Sequence, residues 1–244
     1  MNMKLKTLVV AVGMVVAGAA NAALSSSGPP GTGGSDLIFE AWDGTTSYVM
    51  DLGAATQYDT FAAAAPSSAA FTVDLTGLNA ATLQWQVFAN NQGTASYGSF
   101  GVITTSAAGN APAISSVLVT SATIDLIEGY QNAALGTATS GYIPASNSLA
   151  YAGQFGNNTV GTFAKNTAVT GFGSMGLYEF LDNGNATTAP ATVNQFAGSF
   201  SLASNGTLTY GPAAVATPLP AAAWLFGSGL LGLVGVARRR FNAA

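Results

Sequence analysis

The sequence predicts a mainly β protein, in which an antiparallel, jelly-roll-like β-sandwich carries one amphipathic helix. Two observations support this prediction. Short stretches in which apolar and polar residues alternate recur along the chain, and Gly- and Asn-rich turns separate them, as in sandwich proteins. One longer stretch instead repeats its apolar residues with the 3.6-residue period of a helix, which indicates a helix lying across the strands.

The first two predicted strands form a hairpin. Residues with high β-propensity run from Asp36 to Asp43 and from Thr46 to Leu52, and Gly44-Thr45 joins them. The alanine-rich residues 57–70 are broken by Pro66 and are consistent with either a short helix or a loop.

Alternation is clearest in the two strands that follow. Each is predicted to bury one face, and a turn at residues 76–79 separates them. The apolar positions are Phe71, Val73 and Leu75 in the first strand and Leu83, Trp85, Val87 and Ala89 in the second. Residues 99–105 are predicted to form another short strand.

Residues 113–135 are predicted to form the helix. Pro112 precedes them and Gly136 follows, as is usual at helix ends. A strand over residues 117–127 remains an alternative because β-branched residues are frequent there. The stripe that would face the core consists of Ile114, Val117, Leu118, Ser121, Ile124, Ile127 and Leu135.

The last part of the body is predicted to return to strands. Short strands are expected near residues 151–155 and 160–163, and a longer one at residues 174–181. The strongest hairpin pattern comes last: strands at residues 196–202 and 207–210 flank Asn205-Gly206, the sequence of a type I′ turn.

Charged residues are only 7% of the chain, and their distribution is uneven. Five of the six basic residues lie at the ends, which leaves Lys165 alone in the body with all ten acidic residues, a net charge of 1 − 10 = −9. A body so poor in cations offers no electrostatic surface for phosphate backbones, which argues against nucleic acid as a partner. The chain has no Cys and no His, which excludes Ser-His-Asp triads and nitrogen or sulfur metal sites, and no cofactor is expected.

The N-terminus, residues 1–22, has the pattern of a secretory signal peptide. Lysines precede an apolar run, and Ala20-Asn21-Ala22 is an A-x-A cleavage site, so that the mature chain would begin at Ala23. A flexible Ser-, Gly- and Pro-rich leader, residues 23–35, would then connect to an extracellular domain at residues 36–211.

The C-terminus has the physical properties of a transmembrane helix. After a linker at residues 212–217, an uncharged apolar run extends from Leu219 to Ala237. A helix of 19 residues spans roughly 28 Å, close to the hydrocarbon core of a bilayer. The arginines Arg238, Arg239 and Arg240 would remain on the cytoplasmic side with the last residues, 241–244.

Residues 218–240 also carry a family resemblance. The features that occur together are Pro218-Leu219-Pro220, Ala221 to Ala223, Trp224, the glycines of residues 227–235, and Arg238 to Arg240. They resemble the PEP-CTERM protein-sorting signal, and in particular its VPLPA variant. Leu219 stands where the usual motif has glutamate, and Thr217 stands where the variant has valine.

This resemblance implies a route for the protein. An exosortase, an integral membrane enzyme, would recognise the motif, remove the tail and release the body to the cell surface or to exopolysaccharide. The resemblance also implies a Gram-negative bacterium, with the chain held in the inner membrane before processing. It covers about a tenth of the chain and assigns no activity to the body.

Acidic residues are the main material for catalysis. Asp36, Glu40 and Asp43 cluster near the start of the body, and Asp125 and Glu128 would share one face of the helix. Two carboxylates about 5–9 Å apart are able to hydrolyse glycosides. The composition favours the simpler interpretation that these are solvated charges that keep the protein soluble, so that the protein is not expected to be an enzyme.

Two binding hypotheses remain. Asp182, Asn183 and Asn185 place oxygen atoms in a tight turn, a weak calcium candidate beside the ordinary Asx-rich turn that the pattern favours. Aromatic side chains are able to stack on sugar rings. The candidates are Trp42, Tyr48, Trp85, Tyr97, Tyr130 and Tyr151, of which Trp85 is expected in the core because it lies on the apolar face of its strand.

The sequence therefore predicts an exported, exosortase-processed protein with a structural or adhesive role at the cell surface or in an exopolysaccharide matrix. Its partners would be the exosortase, matrix components and, before processing, the membrane. The alternatives are a carbohydrate-binding or carbohydrate-active sandwich and a permanently membrane-anchored periplasmic protein.

Overall fold

The computed structural model describes residues 24, 34–53, 56–91, 100–107, 111, 114, 116–153, 169–182 and 192–212. The helices are α1 Tyr58–Ala63 and α2 Val117–Leu135. The strands are β1 Ile38–Trp42, β2 Thr46–Asp51, β3 Ala69–Thr72, β4 Gln84–Asn91, β5 Gly101–Ala107, β6 Ser140–Pro144, β7 Val169–Thr170, β8 Gly173–Leu181, β9 Thr192–Leu202 and β10 Thr207–Pro212.

These strands form one antiparallel sheet, which confirms the prediction of a mainly β, antiparallel fold. Their order is β3-β10-β9-β8-β5-β4-β1-β2-β6, with β7 paired to β4. The sheet is curled. Side chains from strands near its two ends pack together in one core cluster on its inner face. The predicted first hairpin is β1-β2, in which Ile38 pairs with Asp51 and Trp42 pairs with Ser47.

The inner face of the curled sheet holds the main core. Trp85 of β4 is fully buried there, as predicted, and its Nε1–H donates a hydrogen bond to the carbonyl of Gly171 at 3.0 Å. The short helix α1 lies over this core, where the rings of Phe61 and Tyr210 meet edge to face at 5.0 Å. The sequence was consistent with either a short helix or a loop over residues 57–70, and the structure shows the helix.

The outer face of the sheet is covered by α2, which confirms the predicted helix and rules out the alternative strand. The helix begins at Val117 rather than at residue 113, because the Ser116 side chain caps it by accepting a hydrogen bond from Val119 N–H at 3.3 Å. At its end the N–H of Gly136, with φ of 66°, donates to the carbonyl of Asn132 at 2.8 Å. The predicted stripe is buried at Val117, Ser121, Ile124 and Ile127.

The prediction that β4 buries only one face is wrong. Trp85 and Val87 lie in the inner core, whereas Phe88 packs with Ile124 of α2 on the outer face. The polar residue Gln86 is also on this outer side and is only 1% exposed. The helix above the strand therefore hides polar side chains as well as apolar ones.

The β9-β10 hairpin is confirmed, but its turn differs from the predicted type I′ turn. The N–H of Gly206 donates to the carbonyl of Ala203 at 3.0 Å, so Ser204 and Asn205 are the central residues. Gly206 follows them with φ of 80°, and Asn205 Oδ1 accepts from Thr207 N–H at 3.0 Å. This turn with a left-handed glycine is the usual three-residue hairpin connection.

Several boundaries also differ from the prediction. The strand β6 was not predicted, β3 ends at Thr72 before Val73 and Leu75, and residues 151–153 do not form a strand. Three residues of the expected flexible leader are buried: Leu24 in the cluster beneath α2, Gly34, and Ser35, whose N–H donates to Asn90 O at 2.9 Å.

The predicted signal peptide with its cleavage site, and the sorting motif from Pro218 to Arg240, lie outside the described residues. The short strand expected at residues 160–163 does so too. Within the part of the chain that is described, neither helix is long and apolar enough to cross a membrane.

Candidate functional site

Five acidic residues converge where α2 lies on the outer face of the sheet. Asp36 lies two residues before β1, and Glu40 belongs to β1. The two share this face because side chains along an extended chain alternate with a period of two. Asp51 ends β2, and α2 contributes two more carboxyls. We call Asp36, Glu40, Asp51, Asp125 and Glu128 the acidic cluster; the first, second and last of these are fully buried, and Asp51 is 6% exposed.

Glu40 accepts hydrogen bonds from two amides. Gln86 Nε2 of β4 donates to its Oε2 at 2.6 Å, and Gln131 Nε2 of α2 donates to its Oε1. Burial raises the pKa of Glu40 to about 7, although the two amides act in the opposite direction. This carboxyl therefore connects β1, β4 and α2 and is partly protonated near neutral pH.

Glu128 is buried without such support. Neither of its carboxylate oxygens has a hydrogen-bond partner of good geometry among the described residues. Burial, and then the charges of Asp125, Glu40 and Asp36, raise the pKa of Glu128 well above its usual range, and the Ser35 side chain lowers it only in part. The Glu128 carboxyl therefore holds its proton more strongly than an ordinary glutamate does.

Asp36 and Asp51 form the other end of the acidic cluster. Burial and the neighbouring Asp51 raise the pKa of Asp36 to about 7, against a lowering by Gln57. Asp51 Oδ1 also accepts a hydrogen bond from Gly53 N–H at 2.6 Å. Two carboxyls in contact share a proton more easily than they carry two charges.

Asn90 attaches α2 to β4 beside the acidic cluster. Its Nδ2 donates to the Ser121 carbonyl at 2.9 Å, to Ser121 Oγ at 3.0 Å and to Asp125 Oδ1 at 2.9 Å. One buried amide thus fixes two consecutive turns of the helix on the sheet.

The interpretation of these acids as solvated charges is wrong for Asp36, Glu40 and Glu128, which are buried. Asp125 and Glu128 lie on the side of α2 that faces the sheet, and neither lines either of the two clefts described below. Among the described residues there is no Lys or Arg to neutralise the acidic cluster. The same residues include no group of three or more acids arranged to hold a metal ion.

A cleft of about 250 Å³ lies at the end of β1. It brings together two of the candidate sugar-stacking residues, Trp42 and Tyr151, which line it and are 4% and 6% exposed. Among the described residues its lining is Trp42, Asp43, Gly44, Thr82, Gln84, Tyr151 and Gly153.

Asp43, the one carboxylate of this cleft, belongs to a turn. Its Oδ1 accepts from the N–H groups of Thr45 and Thr46 at 2.8 and 2.9 Å, and its Oδ2 accepts from Asn79 N–H at 2.8 Å. Burial would raise its pKa, but these hydrogen bonds outweigh burial and lower it. Asp43 is therefore an ionised, structural carboxylate and is unsuited to donate a proton.

A second cleft, of about 240 Å³, lies between residues 73–80 and the β9-β10 turn. Its walls are mainly apolar and include Leu83 and Phe172. Its one carboxylate, Asp74, accepts hydrogen bonds from Thr76 N–H at 3.0 Å and Thr76 Oγ1 at 2.7 Å. Each of the two clefts thus holds a single carboxylate that is engaged in its own turn.

The other predicted site residues are dispersed. Tyr48 and Trp85 are buried in the inner core, and Tyr130 is 41% exposed on α2. Tyr97 lies outside the described residues, as do Asn183 and Asn185 of the calcium candidate, whereas Asp182 is described and its N–H donates to Phe100 O at 3.1 Å.

Sequence reasoning did not anticipate the acidic cluster. The available indication was the imbalance of ten acids against one lysine in the body, together with Gln and Asn at alternate positions of β4. No protein-family model matches this chain, and neither a curated protein nor a solved structure is detectably similar to it.

Proposed function

We propose that this chain is an exported surface or matrix protein with a structural or adhesive role, and that its C-terminal tail is a removable sorting signal. The observation that carries the proposal is the order of features in residues 217–240: a Pro-Leu-Pro motif, an uncharged apolar run of membrane-spanning length, and three arginines. The resemblance of this order to the PEP-CTERM signal supports exosortase as the processing partner.

The proposed route has two steps. The signal peptide takes the chain across the inner membrane of a Gram-negative bacterium, and the C-terminal helix holds it there with the body in the periplasm. An exosortase then cuts near Pro218-Leu219-Pro220 and passes the body to the cell surface or to exopolysaccharide.

The body supports a non-catalytic role. Its buried carboxyls join strands and helix, as Glu40 does, and the carboxylates at the two clefts described above stabilise turns. We propose that the curled sheet is a jelly-roll-like sandwich, an architecture that presents loops and surfaces without requiring a catalytic centre.

Localisation of tail variants tests this proposal. In the native host, Pro218→Ala with Pro220→Ala should leave most of the protein in the inner-membrane fraction, because the cut requires the motif. Pro212→Ala, at the end of β10, is the matched control and should reach the surface or matrix like the unchanged chain. Equal export of the motif variant would contradict processing, and an unchanged chain that stays in the membrane would support a permanent anchor.

A second candidate function is carbohydrate binding at the cleft of Trp42 and Tyr151. The supporting observation is that two aromatic rings, an amide and a carboxylate border one cleft of about 250 Å³. This volume is slightly below the usual range for ligand pockets, about 300–1,000 Å³, and suits a single sugar unit. Polar groups beside aromatic faces are the lining that sugars require.

Calorimetric titration with exopolysaccharide purified from the native host tests this candidate. Gln84→Ala should weaken binding at least several-fold, because the half-buried Gln84 supplies an amide to the cleft. Tyr130→Phe, on the exposed side of α2, is the control and should bind normally. Equal affinities of the Gln84 variant and the control, or no heat of binding, would contradict a sugar site here.

A further inference from the structure

Leu24, the second residue after the predicted cleavage site, is held by α2. Its side chain is 2% exposed and belongs to the apolar cluster that contains Val117 and Ile124 of the helix. Its carbonyl accepts a hydrogen bond from Asn132 Nδ2 at 2.9 Å. The start of the predicted mature chain is therefore part of the packing of α2 on the sheet.

The other described end of the leader is also attached to the body. Ser35 N–H donates to Asn90 O, and Ser35 O accepts from Tyr58 N–H, both at 2.9 Å. Gly34 has a φ of 70°, and a Cβ added there would lie 2.7 Å from Tyr58 Cβ, so the position requires glycine. The leader is thus fixed at residue 24 and at residues 34–35, and the N-terminus that cleavage would create lies one residue from a fixed point.

Asn132 has one hydrogen-bonding atom that the described residues do not use. Because the Leu24 carbonyl can only accept, the amide of Asn132 must turn its Nδ2 toward it, which fixes the orientation of the amide. The Asn132 Oδ1 is buried and has no hydrogen-bond partner among the described residues. Since a buried acceptor without a donor destabilises a fold, the position beside Leu24 suits a hydrogen-bond donor.

The electrostatics around this acceptor favour a donor with a positive charge. Asn132 begins the last turn of α2, where the aligned peptide dipoles place a partial negative charge. This last turn contains no basic residue, and the part of the chain that the structure describes includes no Lys or Arg. A cation at Asn132 would therefore be attracted by the end of the helix and would meet no like charge from the described residues.

We propose that signal-peptide cleavage creates this donor: the new α-ammonium group of Ala23 binds Asn132 Oδ1, and Leu24 is its anchor beneath α2. This inference rests on the proposed cleavage after Ala22. Hydrolysis of the Ala22–Ala23 bond adds one water, leaves a carboxylate on Ala22 and gives Ala23 an amine that takes up a proton. A single neutral N–H thus becomes a cation with three N–H donors. The Ala23 nitrogen precedes Leu24 by one residue, about 3.8 Å of chain, so it is within reach of the side chain that holds Leu24.

Removal of the signal peptide then completes the contact between the leader and α2. The uncut precursor lacks the positive charge and two of the three donors at residue 23, so Asn132 Oδ1 gains its cationic partner only after cleavage. The mature form is consequently the more stable one. Maturation and the packing of α2 are in this way linked through a single nitrogen atom.

Amine labelling of the exported protein tests this proposal. Lysine occurs only at positions 4, 6 and 165, so the mature body has two amines, the Ala23 α-amine and the Lys165 side chain. Protein collected from the native host is treated briefly with an amine-acylating reagent near pH 7, either folded or unfolded in urea, and acylation of the N-terminal peptide is quantified by mass spectrometry. The Ala23 amine should react several-fold more slowly in the folded protein, because the hydrogen bond to Asn132 holds it in its protonated, unreactive form.

Two changes test the acceptor and the position of the amine. Asn132→Ala should abolish the protection, whereas Asn147→Ala, the same change at an exposed residue, is the matched control and should retain it. Insertion of Gly-Ser between Ala22 and Ala23 keeps the A-x-A site and should also abolish the protection, because it moves the amine two residues away from Leu24.

The outcomes separate this inference from the proposed function. A chain that begins at Ala23 but reacts equally fast folded and unfolded would overturn the inference and leave the cleavage intact. Protection that persists in Asn132→Ala would overturn Asn132 as the acceptor. An intact mass showing that the mature chain begins elsewhere would contradict the proposed cleavage and, with it, this inference.

Discussion

The hydroxyl of Tyr142 donates a hydrogen bond to the carbonyl of Asp74 at 2.9 Å and accepts one from Gly77 N–H at 3.0 Å. Tyr142 belongs to β6 and Asp74 follows β3, the two strands at the opposite ends of the sheet order. One side chain thus connects the two edges of the curled sheet. The ring of Tyr142 also contacts that of Tyr48 at a centroid distance of 5.2 Å.

Tyr142→Phe should lower the free energy of unfolding by about 1 kcal/mol, because it removes both hydrogen bonds at a partly exposed position but keeps the ring. Chemical denaturation of the exported body measures this change. Tyr130→Phe, on the exposed side of α2, should leave stability unchanged. A Tyr142 variant as stable as this control would show that the connection between the sheet edges contributes nothing.

The acidic cluster predicts that the protein is less stable at pH 8 than at pH 5.5. The pKa values of Asp36 and Glu40 are about 7 in the folded chain against about 4 in an unfolded one. The folded state therefore binds more protons between pH 4 and 7, and stability falls as pH rises, by up to about 1.4 kcal/mol per pH unit for each group. Thermal unfolding measured from pH 5.5 to pH 8 should show a Tm that falls as the pH rises.

Glu128→Gln should raise the Tm at pH 8 and have a much smaller effect at pH 5.5, because at high pH the carboxyl must either take up a proton or bury a charge on folding, whereas the amide does neither. Asp74→Asn is the matched control: the pKa of Asp74 is lowered by hydrogen bonds from Thr76, so its removal should not stabilise the protein at pH 8. An equal rise in Tm at pH 8 for both variants would show that the effect comes from the lower net charge. It would contradict a cost of burying Glu128 in the acidic cluster.

Gly101→Ala should destabilise the protein through Tyr58. A Cβ at this position of β5 would overlap the Tyr58 hydroxyl, which donates to Glu179 Oε1 at 2.9 Å inside the protein. We expect a loss of about 1–3 kcal/mol from overpacking. In the double variant with Tyr58→Phe, the combined loss should be smaller than the sum of the single losses, since both changes remove the same hydrogen bond. Additive losses would contradict the contact.

Gly206→Ala should destabilise the hairpin more than Gly53→Ala does. Both glycines have a positive φ, 80° and 91°, which costs alanine about 1–2 kcal/mol. At Gly206 the added Cβ would also overlap the Val73 carbonyl, whereas at Gly53 nothing lies within 4 Å. The denaturation midpoint of Gly53→Ala reports conformational strain alone, whereas that of Gly206→Ala reports strain together with the overlap. Equal midpoints for the two variants would contradict the close approach of Val73.

Local patterns in the sequence predicted much of the fold. The β1-β2 and β9-β10 hairpins and α2 each depend on residues near one another in the chain, so turn chemistry and periodicity were sufficient. The type of turn at Asn205-Gly206 was predicted wrongly. A two-residue type I′ turn was expected, and a three-residue connection that begins at Ser204 is observed. The unpredicted β6 is short and contains Gly141 and Pro144, which weaken any strand pattern.

The acidic cluster and the curl of the sheet were not predictable in the same way. Glu40 contacts Gln86 and Gln131, which are 46 and 91 residues away, and Tyr142 contacts Asp74 across 68 residues. Alternation in β4 marked Gln86 as solvent-facing because no local pattern reports that a helix will cover that face. The buried carboxyls therefore became visible only once α2 was placed on the sheet.

The intact mass of the extracellular form tests the central proposal most directly. Protein is collected from the surface or matrix of the native host without proteolysis, and its mass is compared with those calculated from the sequence. We expect a chain that begins at Ala23 and ends near Pro218-Leu219-Pro220, without Arg238 to Arg240. An extracellular mass that still includes these three arginines would contradict a removable sorting signal.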